Sequence, residues 1–228
     1  MKIGVFVAHP DDEIIGIGGT IAKHIKEYKD EVEIYIMCEG KSSRLEKYVE
    51  PTQEKLNQFA NETYEACECI GVTKEQIRFF DLPDNRLDSL ARLDVIKIIE
   101  NIGKKEKFDI VYTHNIDDLN IDHKIVAESV LTAFRALPEQ SVKEIIMFET
   151  LSSTEHAMFL GNYFEPNMFV DIRNSIEDKL KALSCYKSEL RQSPHPRNIE
   201  AVRCNAILWG NKVGINAAEA FRIARIMR

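Results

Sequence analysis

Short unbroken apolar runs, each followed by a polar turn and then by apolar positions at helical spacing, recur through most of this chain. Lys2 to Ala8 carries Ile3, Val5, Phe6 and Val7, the pattern of a strand buried on both faces. A helix is expected from Pro10 to about Tyr28, because proline suits a first helical position and acidic residues complement the positive end of the helix dipole. Val32 to Cys38 reads as a second strand and the charged stretch Glu39 to Glu50 as a surface loop. Leu56, Phe59, Thr63, Ala66, Cys67 and Ile70 then recur at helical spacing up to Gly71, a C-cap by residue type. Ile77 to Asp81 forms a third strand and Leu82-Pro83-Asp84-Asn85 a turn; Leu90, Leu93, Ile96, Ile99 and Ile102 mark a helix ending at Gly103, with Lys104 to Lys107 as its solvated end. Asp109 to Thr113 is a fourth strand, a helix starts at Asp122, and Lys143 to Glu149 is another strand. In the tail, Asn167 to Ile172 reads as an outer strand, and Ile176 to Leu190 and Ile199 to Trp209 as helices. Alternation of this kind implies right-handed crossovers and an α/β architecture, a mostly parallel, doubly wound sheet with helices on both faces.

With 228 residues, of which 44% are hydrophobic, the chain fits one domain spanning residues 1–228. The net charge of −7 and pI near 5.5 oppose nucleic-acid binding, leaving a neutral or small polar partner. No apolar run approaches the roughly 20 residues of a membrane span, and Met1-Lys2 leads directly into the first strand without a secretory pattern, so a cytoplasmic protein is expected. The cysteines Cys38, Cys67, Cys69, Cys185 and Cys204 show no zinc-ribbon spacing and are read as reduced structural thiols. A homo-oligomer is compatible with this composition and is left open.

Candidate chemistry gathers where the first and fourth strands end. Ala8-His9-Pro10-Asp11-Asp12-Glu13 follows the first; His114 to His123 follows the fourth, and doubly wound order commonly makes these strands near neighbours. His9 and Asp12, three positions apart, can share one side of a turn while Asp11 points elsewhere, and His123 can complete a set of two imidazoles and one carboxylate. That set leaves open positions, as catalytic zinc requires, although the same ligand types serve Fe2+ and other divalent ions. The bland alternative is that the acidic turn merely caps a helix, in a non-catalytic ligand-binding module. No G-x-G-x-x-G follows the first strand, since Gly16, Gly18 and Gly19 come too late.

The motifs A-H-P-D-D-E, L-P-D-N, T-H…D-H, and H-P-R…A-E-A-F together resemble the PIG-L/LmbE-like zinc deacetylase family over nearly the whole chain. The resemblance implies a Rossmann-like (LmbE-like) fold and removal of acetyl from an N-acetylglucosamine unit, free or carrier-linked. It also implies zinc ligands His9, Asp12 and His123, with Asp11 as general base. Two positions depart from the pattern: Asn120 stands where many members have an oxyanion-steadying histidine, and Phe59 stands where an arginine often precedes Glu62.

In the amide hydrolysis so implied, Asp11 accepts a proton from water and returns it to the departing amine. Oxyanion support falls to Asn120 or His195, and substrate contacts to His114, His195 and Arg197. Asp122 either orients a ligand imidazole or caps the following helix. Arg44, Asn85 and Arg86 lie on loops toward the same edge, His156 is placed on the rim, and His24 is read as an exposed helix residue. An amidase acting on a non-sugar N-acyl substrate is the enzymatic alternative.

Overall fold

The first apolar run, β1 (Lys2–Val7), lies in the middle of a sheet whose order is β3-β2-β1-β4-β5-β7-β6 among the described residues. The computed structural model describes residues 1–40 and 52–228, so Arg44 and most of the Glu39 to Glu50 loop lie outside the described residues. The strands that follow are β2 (Glu31–Cys38), β3 (Ile77–Leu82), β4 (Ile110–His114), β5 (Glu144–Phe148), β6 (Met168–Asp171) and β7 (Ala218–Ile226). β1 pairs in parallel with both β2 and β4, so the chain reverses its direction of travel across the sheet between β1 and β4. In doubly wound sheets the carboxyl ends at that switch point border a crevice.

The helices are α1 (Asp12–Lys23), α2 (Gln53–Cys69), α3 (Arg92–Glu106), α4 (Ile121–Ala133), α5 (Ile176–Leu183) and α6 (Ile199–Val213). One core cluster joins the sheet to α1, α2, α5 and α6, and a second joins the opposite face to α3 and α4. Among the described residues no helix is long and apolar enough to cross a membrane.

Several local expectations change. Gly103 does not end its helix: α3 continues to Glu106 and Lys107 takes the left-handed cap conformation (φ 50°). The glycine serves packing instead, since a Cβ there would meet the Phe134 ring at 2.4 Å. The helix expected through Leu190 stops at Leu183 and gives way to turns. β7, absent from the sequence-based expectation, inserts antiparallel between β5 and β6. Its alternation is masked by Glu219, a buried carboxylate that accepts from Thr20 N (2.7 Å), Gly19 N (2.9 Å) and Lys179 Nζ (2.5 Å). His24 is buried and not exposed: α1 runs into a π-helical turn, His24–Tyr28, where His24 meets Asp30 (Nδ1–Oδ2, 2.8 Å) and the Tyr112 hydroxyl (3.0 Å).

Candidate active site

Adjacency of β1 and β4 brings the two donor-rich turns together. His9 leaves β1, Asp12 opens α1, and His123 lies in the first turn of α4. His9 Nδ1, Asp12 Oδ2 and His123 Nε2 form a triangle with sides of 3.4, 3.3 and 3.3 Å. In a tetrahedral shell with bonds of about 2.0–2.1 Å, donor atoms sit about 3.3–3.4 Å apart, so the triangle has the dimensions of one face of such a shell. Asp12 Oδ1 and Asp11 Oδ1 are buried with no hydrogen-bond partner among the described residues, a costly arrangement in apolar surroundings that a cation relieves. These groups can therefore hold a metal ion.

Both imidazoles face carboxylates from behind. His9 turns Nε2 toward Asp122 Oδ2 (3.0 Å) and Asp84 Oδ1 (3.2 Å). Asp122 is fixed in turn by Asn85 N (2.6 Å) and Leu87 N (3.0 Å). His123 Nδ1 lies 3.3 Å from Asp118 Oδ1, and Asp118 is anchored by the hydroxyls of Ser153 and Thr154. Carboxylates in these positions fix ring orientation and raise ligand basicity. Burial alone would push His123 down, but Asp12 and Asp118 prevail and lift it to about 9; burial would likewise raise Asp118, but His123 and the Ser153 and Thr154 hydroxyls hold it at about 2. A divalent ion would displace the protons these imidazoles otherwise retain.

Asp11 stands beside the triangle with a φ of 102°, a conformation unfavourable for a residue with a Cβ and found where a site over-determines its backbone. Burial raises its carboxyl to about 7, while Arg197 opposes that rise. Arg197 reaches Asp11 Oδ2 (3.3 Å) and donates through Nε to Ser152 Oγ (2.6 Å). Glu13 lies behind, accepting from the Tyr186 hydroxyl and from Asp11 N (3.1 Å), and is raised by burial to about 8. A cleft of about 130 Å³ bordered by His9, Asp11, Asp84, Asn120, Glu189 and Arg197 opens over this group.

Other expected residues lie elsewhere or act differently. His114 is fully buried behind the triangle, with Nε2 3.4 Å from Asp12 Oδ2, so the expectation that it contacts substrate is corrected. Its Nε2 accepts from Ala8 N (2.8 Å) and its Nδ1 donates to Thr150 Oγ1 (3.1 Å). Burial and neighbouring His123 depress it to about 3, and it stacks on His123 at 3.9 Å as a neutral ring. His195 is exposed and does not border the cleft; its Nδ1 accepts from Arg197 N (3.0 Å). Asn120, not Asp122, is the N-cap of α4, accepting from Asp122 N (2.8 Å). His156 lies on the 3-10 turn Thr154–Leu160, against Phe159. Phe59 is buried in α2, and Glu62 accepts from Ser188 Oγ (2.5 Å). Asp118, Asp84 and Glu13 had no assigned role in the sequence; Asp84 and Asp118 were signalled by their place in turns at the same sheet edge.

Comparison with known proteins shows the family and the fold. Residues 4–134 match the family model described as PIG-L, GlcNAc-PI de-N-acetylase. The chain is 27% identical over 226 residues to a diacetylchitobiose deacetylase of Thermococcus kodakarensis, covering 97% of this chain and 82% of that one. It superposes with a TM-score of 0.76 and 25% identity on the N,N'-diacetylchitobiose deacetylase of Pyrococcus horikoshii, covering 98% of this chain and 84% of that chain. At 22% identity and a TM-score of 0.75 it also shares its fold with GalB, the 4-carboxy-2-hydroxymuconate hydratase of Pseudomonas putida, over 100% of this chain and 99% of that one. The fold thus hosts more than one chemistry, and the site must distinguish them.

Proposed function

Because the chain belongs to the PIG-L family, we propose that it is a zinc-dependent hydrolase that removes the acetyl group from an N-acetylated amino sugar of the N-acetylglucosamine type. The observation that carries this reading is the triangle of His9, Asp12 and His123 with a second carboxylate, Asp11, beside it at the cleft. The relatives named as diacetylchitobiose deacetylases support the substrate class.

In this reading His9, Asp12 and His123 hold the ion, with Asp122, Asp84 and Asp118 fixing the two imidazoles. When present, zinc supplies Lewis acidity, polarising the amide carbonyl and acidifying the attacking water. Asp11 removes a proton from that water as its oxygen bonds to the carbonyl carbon, then returns the proton to the amine nitrogen as the C–N bond breaks. Acetate and the free amino sugar result. Its elevated carboxyl suits both acts, since a proton relay is most effective when its pKa lies near the working pH. Arg197 aims Asp11, and Asn120 on the cleft wall donates from its side-chain amide to the carbonyl oxygen as charge grows there. Residues 1–228 act as one domain in this proposal, and the unpaired cysteines fit a reducing cytoplasm.

The test is release of acetate by the zinc-loaded protein from N-acetylglucosamine and N,N'-diacetylchitobiose, set against non-sugar acetamides. Turnover confined to the sugars supports the proposal, whereas turnover of the acetamides alone makes the protein a general amidase. Purified protein that takes up no divalent ion and releases no acetate is a binding module.

A further inference from the structure

Both polar atoms of the Asp11 backbone have partners. Its carbonyl accepts from Ile14 N (3.0 Å) and Ile15 N (2.9 Å), the opening bonds of α1, and its N–H donates to Glu13 Oε2 (3.1 Å). Glu13 is fully buried, although a carboxylate that only complements a helix dipole can remain in water. Its other oxygen, Oε1, accepts from the Tyr186 hydroxyl and faces Cys67 Sγ at 3.9 Å, so the side chain turns inward. Tyr186 is also fully buried, and its carbonyl accepts from Glu189 N and Leu190 N (both 3.0 Å). Glu189 approaches Arg197 Nη1 at 3.5 Å, and Arg197 reaches Asp11 Oδ2. A closed ring of contacts therefore holds Asp11 at its backbone N–H and at its carboxylate, with the turn after α5 joining the two ends.

We propose that Glu13, held by Tyr186, is a positioning residue that keeps Asp11 at its positive φ and so aims the carboxylate; its consequence for turnover rests on the deacetylase reading. A residue with a Cβ stays at a φ of 102° only where its surroundings over-determine it. The first turn of α1 fixes the peptide plane that follows Asp11, and Glu13 fixes the one that precedes it. Rotation about φ moves the side chain relative to the incoming chain. Loss of the anchor therefore displaces the Asp11 carboxylate, while His9 and His123 stay with Asp122, Asp84 and Asp118. The anchor needs one acceptor oxygen only: a carboxyl protonated at Oε1 still accepts at Oε2, and so does a glutamine amide.

Glu13→Met removes the acceptor, fills the space with an adaptable apolar chain and leaves no charge in the core. Its crystal structure should show Asp11 at negative φ with the His9, Asp12 and His123 triangle intact. Zinc content should match the parent, KM should stay within about twofold, and kcat should fall about 10²-fold. Glu13→Gln should restore both the φ and the turnover. In the Asp11→Asn background Glu13→Met should lower kcat no further, because the group it positions is gone. Asp11 remaining at positive φ in Glu13→Met, or losses that multiply in the double variant, would overturn the proposal. Should Glu13→Met fail to fold, Tyr186→Phe frees Glu13 Oε1 within an apolar core and should show a smaller loss of kcat with the same dependence on Asp11; a parent-like kcat there would also overturn it. Absence of acetate release by the unaltered protein would count against the deacetylase reading alone, since the Asp11 φ in the Glu13 variants judges the anchor without turnover.

Discussion

Arg197 Nη1 lies 3.3 Å from Asp11 Oδ2, joining the turn after β1 to the segment before α6 across 186 positions of sequence. The guanidinium also binds Ser152 and approaches Glu189 at 3.5 Å, so it ties the strained Asp11 turn to the opposite wall of the cleft. A cation there favours the ionised form of Asp11, the form that can accept a proton. Arg197→Gln should lower kcat/KM by about 10²-fold and move the acid limb of the rate profile to higher pH, with metal content unchanged. Arg197→Lys should recover little, because lysine lacks the planar fork that serves Asp11 and Ser152 together. A pH–rate profile that keeps its limb in Arg197→Gln would show that the contact is only structural.

Separation of roles between the adjacent aspartates is open to direct measurement. Asp11→Asn should keep about one equivalent of zinc and lose about 10²–10⁴-fold in turnover, whereas His9→Ala and His123→Ala should lose the metal itself. Elemental analysis alongside acetate release distinguishes these outcomes, and metal loss in Asp11→Asn would make Asp11 a ligand.

Asn120 serves two ends, since its Oδ1 caps α4 while the residue borders the cleft. Asn120→Asp retains a capping oxygen and should unfold near the parent in denaturant, while Asn120→Ala should lose about 1 kcal/mol. Both should lower turnover without altering metal content, because neither restores an amide donor.

The buried Lys179–Glu219 pair couples α5, α1 and β7. Lys179 Nζ also donates to Ile15 O (2.7 Å), and Glu219 binds two α1 amides, so each charge is satisfied only by the other elements. Glu219→Gln strands an ammonium in the core and should cost about 3–5 kcal/mol of stability by denaturant titration. A loss under about 1 kcal/mol would place the pair in effective contact with solvent.

Acid sensitivity should originate partly at the first helix. Burial holds His24 below its ordinary 6.5, and Asp30 is held below its ordinary 3.8, against burial, by the N-terminal ammonium and His24. In both cases the unfolded chain binds the proton more readily than the folded one. Stability from these groups is therefore complete above the unfolded values and is lost as pH falls, His24 first and Asp30 after it. The stability difference between the parent and His24→Gln should shrink as pH is lowered through 6.5 toward 4, measured by urea unfolding at each pH.

Most elements up to β5 are legible because each is announced locally. A parallel strand buried on both faces must be a continuous apolar run, and its helix must show apolar residues at 3.6-residue spacing. β7 escapes such reading because Glu219 interrupts its apolar pattern and its carboxylate finds partners on α1 and α5, far away in sequence. Gly103 misleads for a related reason: its smallness answers the Phe134 ring on another element, not the end of its own helix.

Residue types and their places at strand ends, read directly from the sequence, determined that two imidazoles and a pair of aspartates emerge from the turns after β1 and β4. Only the tertiary structure decided which of the nearby side chains face the cleft. His114, at the end of β4, turns into the core, where Ala8 and Thr150 occupy both its nitrogens, while Arg197, from a solvent-facing segment, is drawn onto Asp11. Local pattern specifies what an element is; where a side chain at its end points depends on strand adjacency and on partners brought from far along the chain, which periodicity does not encode.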